Sequence, residues 1–363
     1  MRSFPRHAFF LAMSVLVPAC SSSEEGASSG APSQPAKSEE QWKQEVTTAM
    51  HDSILVDIQA HRKATEDLAA AAPTPTGRGW DRTLDAAAIA SMKEAWSRAR
   101  ATYEHVEGAL APIFPDIDAS IDERYDGFLE TLGAAGDANP FDDAGVTGLH
   151  AVERILWSDA IPAPVLAFEK TLPGYQAAWL PATEQEALEL KSKLCAKLAA
   201  DAASLEAQWT PAKIDIGSAY QGLVGLMNEQ KEKVNNAAEG AEESRYSQET
   251  MRDIRNNLEG TRKIYTVFQP WIASKQGGSA RDTTIVRGFE QLTTLYAGVQ
   301  GDAIPSPPAT WSAETPSASD LGTPFGVLYS GVKSAADATS DSSVVGAMNG
   351  VAELLGFAAL ADR

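Results

Sequence analysis

The chain has 363 residues, enough for a sizeable core and for two domains of ordinary size. Its 49 acidic residues outnumber its 30 basic residues, and the formal net charge of -19 argues against binding nucleic acid or anionic lipid and favours small cations. Only two cysteines are present, Cys20 and Cys195, which excludes a disulfide framework.

The N-terminus has the pattern of a bacterial lipoprotein signal peptide. Arg2 and Arg6 precede an apolar run that is too short to span a membrane. Cys20 follows, so we expect residues 1–19 to be removed and a diacylglycerol to be attached to the Cys20 thiol. Residues 20–39, rich in Ser, Gly, Pro and Glu, predict a disordered tether. The expected location is the cell envelope, lipid-anchored on the periplasmic or outer-membrane face, with an ordinary secreted protein as the alternative.

The next part of the chain, residues 40–165, shows helical periodicity and no strand-like alternation. The periodic segments are 40–72, 84–110, 120–132 and 142–157, and turns containing proline or glycine separate them. We therefore predict that residues 40–165 form an antiparallel helical bundle.

Residues 182–363 are also helical in pattern. Thr183 and Glu186 predict a capping box at the start of a long helix, and Ser247 predicts the N-cap of a later one. The predicted helices are 183–209, 218–237, 248–268, 282–299 and a last pair separated near residues 338–343. The predicted fold is therefore all-α, with two antiparallel helical bundles, N-terminal and C-terminal, of the four-helix-bundle type.

One short stretch carries the pattern of a metal site. His150 and Glu153 are three residues apart on a predicted helix, so both leave the same side of it, directly beside the apolar stripe of Leu149, Val152 and Leu156. A buried imidazole and a buried carboxylate either pair with each other or hold a cation, because a lone buried carboxylate is unfavourable.

A second pair stands in the same relation to a buried residue. Glu104 and Glu107 follow Tyr103 by one and four places, as His150 and Glu153 follow a buried leucine. If the two helices face each other, four ligands meet at one point, and Asp122 adds a fifth. Imidazole and oxygen ligands suit Fe, Mn, Zn or Cu.

Simpler interpretations exist for the two glutamates, and the remaining histidines and cysteine do not suggest further ligands. Glu104 and Glu107 on a surface helix would form a solvated face. His51 and His61 are more typical of core or surface histidines than of ligands, and Cys195 is typical of a small buried hydrophobic residue. The sequence contains no His-Glu-x-x-His zinc motif, no Gly-x-Ser-x-Gly elbow and no phosphate-binding glycine loop.

The segment from Gly148 to Glu153, followed by Leu156 and Trp157, resembles the Gly-x-His-x-x-Glu signature of the imelysin-like family, which includes EfeO/EfeM-type iron-uptake proteins. Residues 96–107, 121–124 and 245–260 are similar to other blocks of that family. The resemblance implies two four-helix bundles, an envelope location and metal binding linked to iron acquisition. The ligands that it implies are His150, Glu153, Glu104, Glu107 and Asp122, with Glu229 as a further carboxylate.

The sequence thus predicts a cell-envelope lipoprotein that binds iron, or alternatively Zn, Mn or Cu, within a helical bundle. An iron permease or a peroxidase is the candidate partner. We expect a binding protein and not an enzyme, because no general base is evident beyond the ligands themselves. The first alternative is a metal-dependent surface peptidase. The second is a scaffold that binds a polymer, in which His150 and Glu153 merely pair with each other in the core.

Overall fold

A computed structural model describes residues 37–360, and every regular element within them is a helix. The all-α fold predicted from the sequence is confirmed. The predicted signal peptide, the lipidation of Cys20 and the predicted tether as far as residue 36 lie outside the described residues. Among residues 37–360, none of the helices combines the length and the apolar character that crossing a membrane requires.

Sixteen α-helices follow one another along residues 37–360. The first eight are α1 (Glu39–Ala71), α2 (Ala86–Glu104), α3 (Glu107–Leu110), α4 (Pro115–Asp122), α5 (Tyr125–Leu132), α6 (Gly148–Leu156), α7 (Ala163–Glu169) and α8 (Glu184–Glu189). The other eight are α9 (Cys195–Trp209), α10 (Ile216–Asn236), α11 (Thr250–Tyr265), α12 (Gln269–Ala273), α13 (Gly278–Ala297), α14 (Ala318–Leu321), α15 (Pro324–Ala335) and α16 (Val344–Leu355). A π-helical turn, Leu190–Leu194, joins α8 to α9.

The longest helix, α1, packs along α2 and α9, and its buried residues recur at the predicted three- and four-residue steps. Helix α10 packs against α3, α11, α15 and α16, and α11 also contacts α2. Helices α2, α3, α10 and α11 therefore pack around one another in the region where the charged residues described below meet. The division into bundles over residues 40–165 and 182–363 stays a prediction, and α1 and α9 pack across it.

Two predicted helices are interrupted in ways that matter for the site. Helix α2 ends at Glu104 and α3 begins at Glu107, although the periodicity predicts one helix over residues 84–110. Two residues with extended backbone separate α4 from α5, where the sequence predicts one helix over residues 120–132. The correction changes the geometry, because Glu104, Glu107 and Asp122 lie at helix ends and not along helix faces.

Helix α6 is held tightly against two neighbours. The indole N–H of Trp96, which is fully buried, donates to the backbone carbonyl of Leu149 over 2.8 Å. Gly148 has φ +82°, and a Cβ atom on it would lie 2.5 Å from the carbonyl oxygen of Ile121. Only glycine fits both that φ and that approach. The glycine of the Gly-x-His-x-x-Glu pattern thus brings α6 against the end of α4, and α6 begins there instead of near residue 142.

The predicted caps had different outcomes. Thr183 and Glu186 form the expected capping box, in which each side chain bonds the other residue's backbone N–H. The prediction for Ser247 was wrong, because α11 begins at Thr250 and has no side-chain cap. Gln248 has φ +61°, rare for a residue with a Cβ atom, so the chain turns before the helix starts. Cys195 is buried, as predicted.

Burial of His61 predicts a loss of stability in acid. Its Nδ1 lies 2.9 Å from the carbonyl oxygen of Ala99, and burial lowers the pKa of His61 to about 4. As pH falls below 6.5, His61 becomes protonated in the unfolded chain but stays neutral in the folded chain until the pH approaches 4. The free energy of unfolding therefore decreases. We expect this group to account for about 2 kcal/mol between pH 7.5 and pH 5.

The measurement is urea unfolding of the wild type and of His61→Asn at both pH values. Asparagine keeps an N–H donor near Ala99 and does not titrate, so the variant should lose less stability on acidification. Equal losses in the two proteins would mean that His61 keeps its ordinary pKa.

Candidate metal centre

Four separate segments bring potential ligands together. Glu104 and Glu107 come from the junction of α2 and α3, Asp122 from the end of α4, His150 from α6, and Glu243 from the loop before α11. Ligand atoms of Asp122, His150 and Glu243 all lie within 4.8 Å of one another, as do those of Glu104, Glu107, Asp122 and Glu243. The two groups share Asp122 and Glu243 and therefore form one continuous cluster.

His150 is fully buried and has one unsatisfied nitrogen. Its Nδ1 lies 3.0 Å from Oε2 of Glu153. Its Nε2 faces the cluster, 3.5 Å from Oδ1 of Asp122, and has no hydrogen-bond partner. Burial holds the pKa of His150 well below its ordinary value, and the positive charge of Arg100 lowers it further. The imidazole is therefore neutral at pH 7, which is the form that binds metal ions.

Glu153 lies behind His150, away from the cluster. Its Oε1 accepts hydrogen bonds from the backbone N–H of Tyr246 (3.1 Å), the backbone N–H of Ser247 (2.8 Å) and the Ser247 hydroxyl (2.8 Å). Burial raises the pKa of Glu153 to about 8, and the hydrogen bonds from Ser247 act in the opposite direction. Glu153 thus connects the orientation of the imidazole to the loop that carries Glu243.

A buried guanidinium lies among the carboxylates. Arg100, on α2, is 1% exposed and forms ion pairs with Glu104 and Asp122. Its Nη2 is 2.7 Å from Oε1 of Glu243, and its Nε is 3.5 Å from Oδ2 of Asp253. Because the arginine contacts carboxylates from four segments, it holds the ends of α2 and α4, the loop and α11 together.

A second cation, Lys233 of α10, lies on the other side of the same carboxylates. Its Nζ is 2.7 Å from Oε2 of Glu243 and 3.3 Å from Oε2 of Glu107. The Asn257 side chain accepts from this ammonium over 3.3 Å and donates from its amide nitrogen to Glu104 and Glu107. These contacts place the lysine within the acidic cluster.

The cluster keeps an excess of negative charge. Five carboxylates surround two cations, so full ionisation leaves three uncompensated charges; the carboxylates are those of Glu104, Glu107, Asp122, Glu243 and Asp253. Burial raises the pKa of Glu104 and Asp122, and that of Asp253 to about 6. Burial also acts to raise the pKa of Glu243, but Lys233 and Arg100 hold it below its ordinary value. An added multivalent cation would relieve this repulsion.

A cleft of about 680 Å³ leads from the surface to the cluster. Glu107, Asp122 and Glu243 lie at its wall, together with Asp118 and Glu229. Glu229 is exposed at the cleft wall, and no hydrogen bond or ion pair joins its carboxylate to another described residue. The cleft gives a cation an acidic route to Asp122 and Glu243, whose carboxylate oxygens lie within 4.8 Å of a His150 nitrogen, and it leaves Glu229 free to accept a partner.

The structure brings together four of the six metal residues predicted from the sequence: His150, Glu104, Glu107 and Asp122. It places Glu153 behind the histidine and Glu229 on the cleft wall. Sequence reasoning missed Glu243, Arg100 and Lys233. A signal for Arg100 existed, because it falls within the apolar stripe of Trp96, Ala99 and Tyr103, where an unpaired charge is unfavourable.

An all-helical fold that holds a buried histidine among carboxylates, beside an acidic cleft, has the arrangement in which helical bundles bind metal ions. The family model that matches the chain is Peptidase_M75, described as Imelysin, and the match covers residues 47–314. The chain belongs to the imelysin family.

Several curated proteins are similar to part of the chain. The iron uptake system component EfeM of Pseudomonas syringae pv. syringae is 25% identical over 58% of this chain and 59% of its own length. The iron uptake system component EfeO of Yersinia pseudotuberculosis is 27% identical over 50% of this chain and 38% of its own length. A lipoprotein of the Efem/EfeO family from Staphylococcus haemolyticus is 26% identical over 56% of each. The chain thus spans between 38% and 59% of these relatives.

The fold has a match among solved structures. The crystal structure of an imelysin-like protein from Psychrobacter arcticum aligns with a TM-score of 0.59 and 13% sequence identity. The alignment covers 90% of this chain and 99% of the other. At that identity the likeness concerns the fold alone, and it supports the helical architecture described above.

Arg100→Met tests the role of the buried guanidinium. Removing it leaves several buried carboxylates without their main counter-charge, so we expect a loss of about 3–5 kcal/mol in the free energy of unfolding at pH 7.5. The pKa of Glu104 and Asp122, already raised by burial, should rise further. Because a raised carboxyl pKa favours the folded state at low pH, the loss should be smaller at pH 5.

Urea unfolding of the wild type and of Arg100→Met at pH 7.5 and pH 5 measures the loss of stability at each pH. Arg98→Met, an exposed position on the same helix, removes the same charge and should change stability little. An equal loss at both pH values in Arg100→Met would assign the effect to packing and not to charge.

Proposed function

We propose that the protein binds an iron ion as cargo in the cluster around His150 and serves iron uptake at the cell envelope. The ligands in this proposal are Nε2 of His150 and carboxylate oxygens of Asp122, Glu243, Glu104 and Glu107. Imidazole with oxygen ligands suits iron, and Zn, Mn or Cu are the alternatives that the same ligand set accepts.

One observation carries this proposal. A fully buried nitrogen, Nε2 of His150, has no hydrogen-bond partner and points at two carboxylates. A buried polar atom without a partner is unfavourable, and a metal ion between the nitrogen and the carboxylates would satisfy it. The second alternative from the sequence, a simple core pair of His150 with Glu153, accounts for Nδ1 and leaves Nε2 unexplained.

The contacts of Glu153 support a positioning role for this residue instead of direct ligation. Burial raises the pKa of Glu153 to about 8, so an ion bound at Nε2 of His150 would have to favour the ionised carboxylate and release its proton. Nδ1 of His150 then donates its proton to Oε2, and the lone pair of the imidazole is on Nε2, facing the cluster. Histidines that bind metals commonly donate their other N–H to a carboxylate in this way. The three donors on Oε1 keep the carboxylate in place.

The identity of the cargo and the location rest on the relatives. Similar proteins are named iron uptake system components, and one is named a lipoprotein. We therefore propose iron as the cargo, anchoring through a lipid on Cys20 at the periplasmic or outer-membrane face, and an iron permease or a peroxidase as the partner. The acidic cleft fits this role, because it attracts cations and repels anions.

Glu153→Gln is the sharpest test of the site. The three donors around Oε1 require the glutamine oxygen there, so its NH₂ group faces His150 and donates to Nδ1. The imidazole must then carry its proton on Nε2, which removes the lone pair from the cluster. We expect Fe²⁺ affinity to fall by about 10- to 100-fold, measured by anaerobic calorimetry on tag-free protein. His150→Gln should lose at least as much.

Two neighbouring glutamates provide a matched control. Glu243→Gln removes a proposed ligand and should weaken binding strongly, whereas Glu242→Gln makes the same change one residue away, where the side chain bonds Gln248. Wild-type affinity in both Glu153→Gln and Glu243→Gln would contradict the proposed site.

The peptidase alternative has its own assay. Both oxygens of Glu153 are already bonded, so it is not free to act as a general base, and we expect no cleavage of casein by Zn²⁺-loaded protein. Chelator-sensitive cleavage that disappears in Glu153→Ala would instead favour a metal-dependent surface peptidase.

A further inference from the structure

We infer that Lys233 is a displaceable counter-ion of the metal site, which occupies the carboxylates while no ion is bound and moves to Glu229 when one binds. This inference rests on the proposed function, since it concerns the ion selectivity of the same site and the release of the bound ion. It assigns to Lys233 and Glu229 roles in selectivity that differ from direct ligation.

The position of Lys233 is that of a cation among ligands. Its Nζ lies 2.7 Å from Glu243, 3.3 Å from Glu107 and 3.9 Å from Glu104, and these three belong to one group of potential ligands. An ammonium and a metal ion cannot both occupy this space, because each needs the same carboxylate oxygens. Ion binding by these glutamates therefore requires that Lys233 give up at least part of its contacts.

Lysine can make this exchange more readily than the other cation present. Lys233 is a point charge at the end of a flexible stem and lines the open cleft. Arg100 is 1% exposed and is held by carboxylates from four segments. The cluster thus combines a fixed cation with a movable one.

A second partner for the ammonium lies one helical turn away. Glu229 precedes Lys233 by four residues on α10, the spacing and order in which glutamate and lysine pair best on a helix. Its carboxylate lines the same cleft and has no hydrogen bond or ion pair with another described residue. The lysine can therefore leave the cluster and remain paired.

Such an arrangement makes the site selective for charge. A monovalent ion that replaces the ammonium gains nothing in Coulomb energy, whereas a divalent or trivalent ion does. Loading therefore favours multivalent ions, and the returning lysine neutralises the carboxylates when the ion leaves. Lys233 would lower the affinity for iron and assist its release.

The test is a double-mutant cycle in Fe²⁺ affinity, measured by anaerobic calorimetry. Lys233→Met removes the competing charge and should tighten binding about tenfold, close to the lower end of the range for close charge pairs. Glu229→Gln should weaken binding severalfold in the wild type, because the displaced lysine loses its partner, and should have little effect in Lys233→Met. Urea unfolding of the metal-free Lys233→Met protein, repeated in the presence of Fe²⁺, checks that this variant is folded.

Lys231→Met is the matched control. This lysine lies two residues away on the same helix, bonds Asn228 and makes no ion pair with the cluster. Equal tightening in Lys231→Met and Lys233→Met would assign the effect to the overall field and overturn the inference. So would unchanged or weaker binding in Lys233→Met, or an equal effect of Glu229→Gln in both backgrounds, which would make Glu229 a ligand. Absence of Fe²⁺ binding by the wild type would instead reject the proposed function.

Discussion

The site depends on one constraint, which is the burial of like charges at the meeting point of several helices. Carboxylates from α2, α3, α4, α11 and the loop before α11 would repel one another in a medium of low polarity. Arg100 makes their assembly tolerable, since its guanidinium reaches four of them. The arrangement of the surrounding helices is therefore tied to this one side chain, and the remaining negative charge is what a metal ion would meet.

The positions of the ligands follow from close packing of backbone and aromatic groups. Gly148 allows α6 to approach the end of α4, and Trp96 holds α6 through a hydrogen bond to its first turn. These contacts place His150 beside Asp122. Glu153 then fixes the imidazole and the loop that carries Glu243. The Gly-x-His-x-x-Glu pattern is thus a set of packing and orientation requirements, and only its histidine faces the cluster.

The sequence predicted the parts of this structure that depend on local periodicity. The all-helical fold and the capping box at Thr183 follow from residue spacing. The grouping of His150 with Glu104, Glu107 and Asp122 depended in addition on the condition that their helices face each other, and on the family resemblance. Glu243 and Lys233 were not predicted, because they reach the cluster through tertiary packing of a loop and of α10. The N-cap prediction for Ser247 was wrong. A serine before a helix is usually a cap, but here the Ser247 hydroxyl donates to the carboxylate of Glu153, which is distant in sequence.

The separation of the ligands along the chain has a consequence for the order of events. Glu104 and its partner Asn257 are 153 residues apart, and the other ligands are spread between them. Contacts so distant in sequence carry a large loop-closure entropy cost, so the unfolded chain holds no comparable site. Newly made protein would therefore not sequester metal before it folds. Once the chain is folded, an ion that binds only the native state would shift the folding equilibrium further towards that state.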